Sequence, residues 1–251
     1  SAFCKMNLIE RLRGTGVALV TPFKNNGDID WEDLERIIEH VIGGGVEFLV
    51  SLGTTGESVT ISDEEQRQIL DFTIKVNRGR VPLVAGVFGS NNTRALVEKV
   101  RSFNFEGIDA LLSSNPSYSK PGQEGIFQHY MALAEESPRP IIIYNVPSRT
   151  ASNMTAETTL RLANASEKFI GIKEASGSLK QMNDVIDLCG SDFDVLSGDD
   201  GMTLPLMAIG GKGVISVVSN IVPADMAALV DAVEVGDMAK ARSLHQKISP
   251  L

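Results

Sequence analysis

The sequence predicts an α/β fold: a closed (β/α)8 TIM barrel with a C-terminal helical extension. Three observations carry this. Eight short apolar segments with strand character recur along the chain. A helical pattern follows each of them. No low-complexity linker or composition shift interrupts the alternation, and eight uninterrupted βα units are the signature of a closed barrel. The competing arrangement is an open doubly wound sheet. Its nucleotide-binding form opens the first helix with Gly-x-Gly-x-x-Gly, and that motif is absent after the first strand.

Taken in order, the expected strands are Gly16–Pro22, Glu47–Leu52, Pro82–Val87, Ala110–Ser113, Ile141–Val146, Phe169–Glu174, Asp194–Ser197 and Gly213–Val217. The helices between them are expected at Trp31–Ile42, Asp63–Val76, Thr93–Phe103, Gln123–Glu135, Ala156–Ala163, Leu179–Leu188 and Met202–Ile209, with Pro223–Val233 after the eighth strand. Ser62-Asp63-Glu64-Glu65 and Ser178-Leu179-Lys180-Gln181 match a capping box, and Pro223 suits a first helical position. A last helical pattern, Met238–Lys247, follows. Residues 1–12 are read as an N-terminal extension with Met6 a candidate native start, 13–234 as the barrel, and 235–251 as the start of a C-terminal helical segment.

The chain has 251 residues, a formal net charge of −9 and 43% hydrophobic residues. That is enough for a sizeable core, and the charge argues against a nucleic-acid surface. No apolar run approaches the roughly 18 residues that span a bilayer, so no membrane partner is expected. Ser1-Ala2-Phe3-Cys4-Lys5 lacks the apolar stretch of a secretory signal. Cys4 and Cys189 form neither a metal spacing nor a disulfide framework. Cys189 reads as a small filler at a helix end, and the chain as cytoplasmic with reduced thiols.

Chemistry in such a barrel gathers at the C-terminal ends of the strands. One residue there is out of place. Lys173 ends the apolar strand Phe169-Ile170-Gly171-Ile172, and burying an ammonium costs several kcal/mol unless it is paired or loses its proton. A lysine depressed by burial becomes an amine nucleophile near neutral pH. The competing reading is a strand-end lysine that reaches solvent or pairs with Glu174. Alternation places Gly171 and Lys173 on one strand face, Ile170 and Ile172 on the other, with Gly171 leaving room for the lysine.

Other strand ends carry Gly53-Thr54-Thr55-Gly56-Glu57-Ser58, Asn115-Pro116-Ser117-Tyr118, Tyr144-Asn145-Val146-Pro147-Ser148-Arg149-Thr150, Ser197-Gly198-Asp199-Asp200 and Ile215-Ser216. Each has an ordinary reading: a polar turn for Gly-Thr-Thr-Gly, core packing for a strand tyrosine. Asp199 and Asp200 have no histidine nearby, since His40, His129 and His245 fall in helical patterns. They read as helix caps, and no metal is expected. Gly210-Gly211-Lys212-Gly213 precedes strand eight, the wrong end for a phosphate cradle, and reads as a turn.

The motifs Gly53-Thr54-Thr55-Gly56-Glu57, Tyr144-Asn145-Val146-Pro147-Ser148-Arg149-Thr150, Gly171-Ile172-Lys173-Glu174-Ala175 and Leu196-Ser197-Gly198-Asp199-Asp200 together resemble the dihydrodipicolinate synthase family. The resemblance runs in order and spacing from about Leu12 to the chain end. It implies a class I aldolase-type lyase that condenses pyruvate with L-aspartate 4-semialdehyde to 4-hydroxy-tetrahydrodipicolinate, the first committed step towards diaminopimelate and lysine. It implies Lys173 as the Schiff-base residue and Tyr144 as general acid/base. Thr54 would link Tyr144 to Tyr118 in a proton relay, with Tyr118 reaching a neighbouring subunit of a homotetramer built as a dimer of dimers. Thr55, the Ile215 main chain and Gly198 would serve the pyruvate site, and Arg149 the semialdehyde carboxylate. No cofactor is implied beyond pyruvate held covalently.

The same superfamily contains N-acetylneuraminate lyase, and Arg149 with Thr54-Thr55 favours the synthase. A non-catalytic binding barrel would be expected to lose the lysine or the tyrosine, and both are kept. Members of that family continue a few dozen residues past the equivalent of Leu251. The resemblance places a lysine-feedback site at Ser58, Asp63, Gln66, Asn91, Ala95 and Ser117. Ala95 and Ser117 replace a glutamate and an aromatic hydroxyl of lysine-sensitive relatives, so weak feedback is expected.

Overall fold

The structure is a computed structural model, and it describes residues 8–251. Eight parallel strands close on themselves in chain order. They are β1 (Gly14–Ala18), β2 (Phe48–Ser51), β3 (Leu83–Ala85), β4 (Ala110–Ser114), β5 (Ile141–Asn145), β6 (Phe169–Glu174), β7 (Asp194–Ser197) and β8 (Gly213–Ser216). Closure is the β1–β8 ladder, which pairs Gly14 with Gly213 and Val17 with Ser216.

Around the strands lie α1 (Trp31–Gly43), α2 (Asp63–Asn77), α3 (Thr93–Ser102), α4 (Gln123–Glu136), α5 (Pro147–Thr150), α6 (Ala156–Ala165), α7 (Leu179–Cys189), α8 (Thr203–Ala208), α9 (Pro223–Glu234) and α10 (Met238–Ile248). Asp30, Ser62, Asn92, Thr155, Ser178 and Asp237 each accept a hydrogen bond from the backbone N–H three residues on. Each satisfies a donor that the first helical turn leaves open.

Two apolar layers follow from strand alternation. Phe48, Val50, Val84, Leu112, Ile142, Leu196 and Ile215 fill the barrel interior. Leu49, Leu83, Leu111, Ile143, Ile172 and Val195 face outward onto the helices. Gly16 makes the interior possible, because a Cβ there would sit 2.2 Å from the Phe48 ring. Leu8, Ile9 and Leu12 pack against the same interior cluster. Leu244 and Ile248 of α10 pack with Leu229 and Val230 of α9.

Several expectations shift. β1 starts at Gly14 and ends at Ala18, before Thr21 and Pro22. The helix expected at Met202–Ile209 divides into a 3-10 turn, Asp200–Met202, and α8. Ser178 caps α7, but Gln181 does not close the box; its amide donates to Met154 O at 3.0 Å and to Asn153. Met6 and Cys4, for which expectations were stated, lie outside the described residues. No described helix is long and apolar enough to cross a membrane.

The face assignment on β6 also changes. Ile141 pairs with Phe169 and Ile142 with Gly171, so Ile170 is an extra residue in its strand. This bulge breaks the alternation. Ile170 joins the interior cluster while Ile172 faces the helices, so the two do not share a face.

Candidate active site

Lys173 lies one residue from the end of β6, directly opposite Tyr144 on β5. Side chains paired across a ladder point the same way. Tyr144 belongs to the barrel interior, and the Lys173 Nζ sits 4.1 Å from the centroid of its ring. Lys173 is 5% exposed and Tyr144 7%. The space beside the lysine comes from Gly198 at the end of β7: a Cβ there would lie 3.2 Å from Lys173 Cγ and 2.8 Å from the Ala175 Cβ. Gly171 does not provide it. A Cβ at Gly171 would strike the Asp194 carbonyl oxygen at 2.6 Å, so that glycine serves the close approach of β7.

Glu174 does not pair with Lys173. Its side chain is turned into a buried polar network: Asn145 Nδ2 donates to Glu174 Oε1 at 2.9 Å, and so does the Ser176 N–H at 3.1 Å. Asn115 Nδ2 donates to Asn145 Oδ1 at 3.2 Å, and the Tyr130 hydroxyl to Asn115 Oδ1 at 2.9 Å. This chain of bonds ties the ends of β4, β5 and β6 together behind the lysine. Neighbouring polar residues in Tyr-Asn-Val-Pro and Lys-Glu were its only trace in the sequence. Burial pushes the Glu174 carboxyl up, opposed by the hydrogen bonds from Asn145, Ser176 and Gln181.

Burial likewise pushes the Lys173 ammonium down from 10.5 to about 8, opposed by the charge of Asp200 and reinforced by that of Arg149. A shift of that size raises the amine fraction at neutral pH by about 300-fold. Burial pushes the Tyr144 phenol up, while the Arg149 charge and the neighbouring Thr54 side chain pull it back. Arg149 projects from α5, a four-residue helix absent from the sequence reading and too short for a period to reveal. Its charge acts on both Lys173 and Tyr144.

Thr54 and Thr55 occupy a tight turn after β2, closed by Gly56 N–H to Gly53 O and Glu57 N–H to Thr54 O. The Thr21 hydroxyl pins that turn through Gly56 O at 2.7 Å. Ile215 is buried on β8. Asp199 caps the following turn as expected, accepting from the Gly201 N–H at 3.0 Å. Asp200 does not; it accepts from the N–H groups of Val217 and Val218 beyond β8.

Tyr118 stands apart. It is 89% exposed on the loop after β4, with φ at +67°. A bulky residue in that region is strained, and it is held by a hydrogen bond from its N–H to Thr150 O at 3.0 Å. The turn before it is fixed by Ser117, whose N–H and hydroxyl both donate to Asn91 Oδ1.

A cavity of about 380 Å³ opens beside Thr54 and Tyr144 and is walled by Ser58, Gln66, Asn91, Ser117 and Lys99. The sequence reading missed Lys99. Its Nζ donates to Val87 O at 2.7 Å, and burial pushes its pKa down.

The model of the dihydrodipicolinate synthetase family matches residues 11–251, which include the whole barrel and every candidate site residue described above. The chain belongs to the dihydrodipicolinate synthetase family. A relative in Syntrophus aciditrophicus (strain SB), a 4-hydroxy-tetrahydrodipicolinate synthase, is 55% identical over 239 residues, covering 95% of this chain and 81% of the relative. A crystal structure of a dihydrodipicolinate synthase superposes with a TM-score of 0.90 at 43% identity, covering 95% of this chain and 82% of the other. The family member from Acinetobacter baumannii, solved in complex with pyruvate, has a TM-score of 0.90 and 39% identity, covering 94% and 80%.

Proposed function

We propose that this chain is a 4-hydroxy-tetrahydrodipicolinate synthase, a lyase that condenses pyruvate with L-aspartate 4-semialdehyde on the route to diaminopimelate and lysine. The observation that carries the reading is Lys173: buried, depressed towards neutrality, unpaired with Glu174 and seated on the Tyr144 ring. Burial of an amine beside a phenol is the arrangement that imine chemistry needs.

The Lys173 Nζ lone pair forms a bond to C2 of pyruvate; the nitrogen loses one proton and the carbonyl oxygen gains one, giving a neutral carbinolamine. Its hydroxyl then takes a second proton and leaves as water, so an iminium remains with one positive charge. Loss of a methyl proton gives an enamine, whose carbon attacks the aldehyde carbon of the semialdehyde. The aldehyde oxygen takes a proton, and the substrate amine then displaces Lys173, closing the ring and freeing the enzyme.

Tyr144 serves as the general acid/base, with Thr54 relaying its proton to Tyr118. Thr55 and the Ile215 main chain hold the pyruvate carboxylate, and Gly198 leaves the space that the adduct needs. Arg149 grips the semialdehyde carboxylate through its planar fork. No cofactor enters this scheme. The exposed, strained Tyr118 supports delivery of its hydroxyl to a partner subunit's site, within a homotetramer made as a dimer of dimers. The reading also carries a cytoplasmic location.

A coupled assay with pyruvate and L-aspartate 4-semialdehyde tests the function. Turnover is expected with that pair, and cleavage of N-acetylneuraminate at a comparable rate would move the chain to the lyase branch of the superfamily.

A further inference from the structure

The polar network behind Lys173 has a hub, and the hub is an amide. Asn145 ends β5 and is fully buried. Its Oδ1 accepts from Asn115 Nδ2 at 3.2 Å and from the Met154 N–H at 3.0 Å. Its Nδ2 donates to Glu174 Oε1 and to Asn153 Oδ1, both at 2.9 Å. A side-chain amide has two donors and two acceptor positions, and here all four are used.

Two of those partners close a loop. The chain leaves β5 at Asn145, forms α5 with Arg149, and returns at Asn153 and Met154 to the same side chain. Gln181, in the first turn of α7, holds the same return. Its Nε2 donates to Met154 O at 3.0 Å, to Asn153 Oδ1 at 3.2 Å and, at 3.4 Å, to Glu174 Oε2. Its Oε1 accepts from Asn153 Nδ2 at 2.8 Å. Two amides from separate elements thus bond the same three residues, and one of the three is the residue after Lys173. The strands themselves have other ties. The Ala175 N–H donates to Asn145 O at 2.8 Å and the Gly198 N–H to Glu174 O at 2.9 Å, so main-chain bonds hold β6 between β5 and β7. The Arg149 turn is different: α5 has four residues, and a helix that short has no stability of its own.

We propose that Asn145 and Gln181 are positioning residues, an amide clamp that fixes the Arg149 turn to Glu174 and so sets the distance between the groups that take the two substrates. The inference rests on the reading of Lys173 and Arg149 given above. Neither amide serves a reacting atom; each acts through Arg149. A side chain on a short turn keeps a productive geometry only when surrounding hydrogen bonds lock its backbone. A misplacement of about 1 Å can cost about 100-fold in rate.

The test separates the two substrates in steady-state kinetics. Asn145→Ala removes the hub, and Gln181→Ala removes the second amide from a half-buried position on α7. Each is expected to raise KM for L-aspartate 4-semialdehyde by about 10- to 100-fold while KM for pyruvate stays within about twofold. Borohydride should still trap pyruvate on Lys173 in both. Gln181→Arg, whose guanidinium can donate to the same oxygens, is expected to return KM towards wild type. Should Asn145→Ala not fold, Gln181→Ala and Gln181→Arg decide the matter. An unchanged KM for the semialdehyde in Gln181→Ala, or an equal rise in both KM values, would reduce the amides to general structural support and overturn the inference. Arg149→Ala is measured alongside. If it raises KM for the semialdehyde and the clamp variants do not, this inference alone fails. If it leaves that KM unmoved, the role of Arg149 fails and this inference with it.

Discussion

The Lys173 ammonium nitrogen lies 4.1 Å above the ring of Tyr144, its direct neighbour across the β5–β6 ladder. The nucleophile and the proposed acid/base are thus set by backbone register rather than by a flexible loop. A cation over an aromatic face gains about 0.5–2 kcal/mol. Burial outweighs that gain, since the net shift of Lys173 is downward. The pair therefore holds the amine in place while leaving it deprotonatable near neutrality.

Arg149 acts on both partners, and its removal has two separable outcomes. Arg149→Ala is expected to leave the pyruvate imine trappable while raising KM for the semialdehyde and lowering turnover. Loss of a charged hydrogen-bond partner costs roughly 2–5 kcal/mol. The Arg149 charge lowers the Lys173 pKa, so the acid limb of kcat/KM for pyruvate should move to higher pH. Steady-state kinetics across pH check both, and full activity with an unmoved limb would remove Arg149 from the site.

Tyr118 is 89% exposed on the loop after β4. If it completes a neighbour's relay, Tyr118→Phe and Tyr144→Phe subunits should complement each other in hybrids, because one site then holds both wild-type tyrosines. Activity is measured on mixed oligomers verified by native mass spectrometry. No recovery in verified hybrids would mean that each barrel is self-sufficient.

Inhibition by L-lysine should be weak or absent. Ala95 has no carboxylate to pair with an ammonium, and the Ser117 hydroxyl, which already donates to Asn91 Oδ1, brings no charge to replace it. Lys99 also places a cation in the wall of the cavity beside Thr54 and Tyr144. Burial pushes the Lys99 pKa down, and the charge of Asp63 opposes that shift. Burying an ammonium without its partner costs several kcal/mol, and a loss of about 3 kcal/mol weakens binding more than a hundredfold. Half-inhibition below a millimolar in the coupled assay would show that the substituted site still works.

Glu47 gives a stability prediction remote from the chemistry. It accepts the Thr15 N–H at 2.7 Å. Burial pushes its pKa up to about 7, opposed by that hydrogen bond and helped by Asp231 and Glu234 of α9. The native state therefore binds a proton more tightly than the unfolded chain. The associated stability is fully present below the ordinary carboxylate pKa near 4.5 and is lost as pH rises through about 7. Glu47→Gln removes that titration. Its Tm should match wild type near pH 4 and exceed it at pH 8.5 by calorimetry. A constant difference across that range would contradict the assignment.

The barrel was legible because each strand has its own apolar run and several helices carry a start signal; β6 and β7 fall at their expected ends. The strand-end motifs placed Lys173 and Tyr144 on the right elements. What the sequence hid is non-local. The Ile170 bulge depends on how β6 pairs with β5. The space for Lys173 comes from Gly198, 25 positions away. Asp200 finds its partners 17 and 18 residues on. Lys99 enters its cavity from a helix whose pattern shows only a solvent-facing charge. Periodicity reports faces, and none of these contacts is a property of one face.

The central claim is that Lys173 is the covalent nucleophile, and reductive trapping tests it most directly. The protein is incubated with pyruvate, treated with borohydride, digested and sequenced by mass spectrometry. The predicted result is a reduced three-carbon adduct on the peptide that carries Lys173, with none formed when pyruvate is omitted. An adduct on another lysine, or no adduct in a preparation that turns over pyruvate and L-aspartate 4-semialdehyde, would contradict the mechanism.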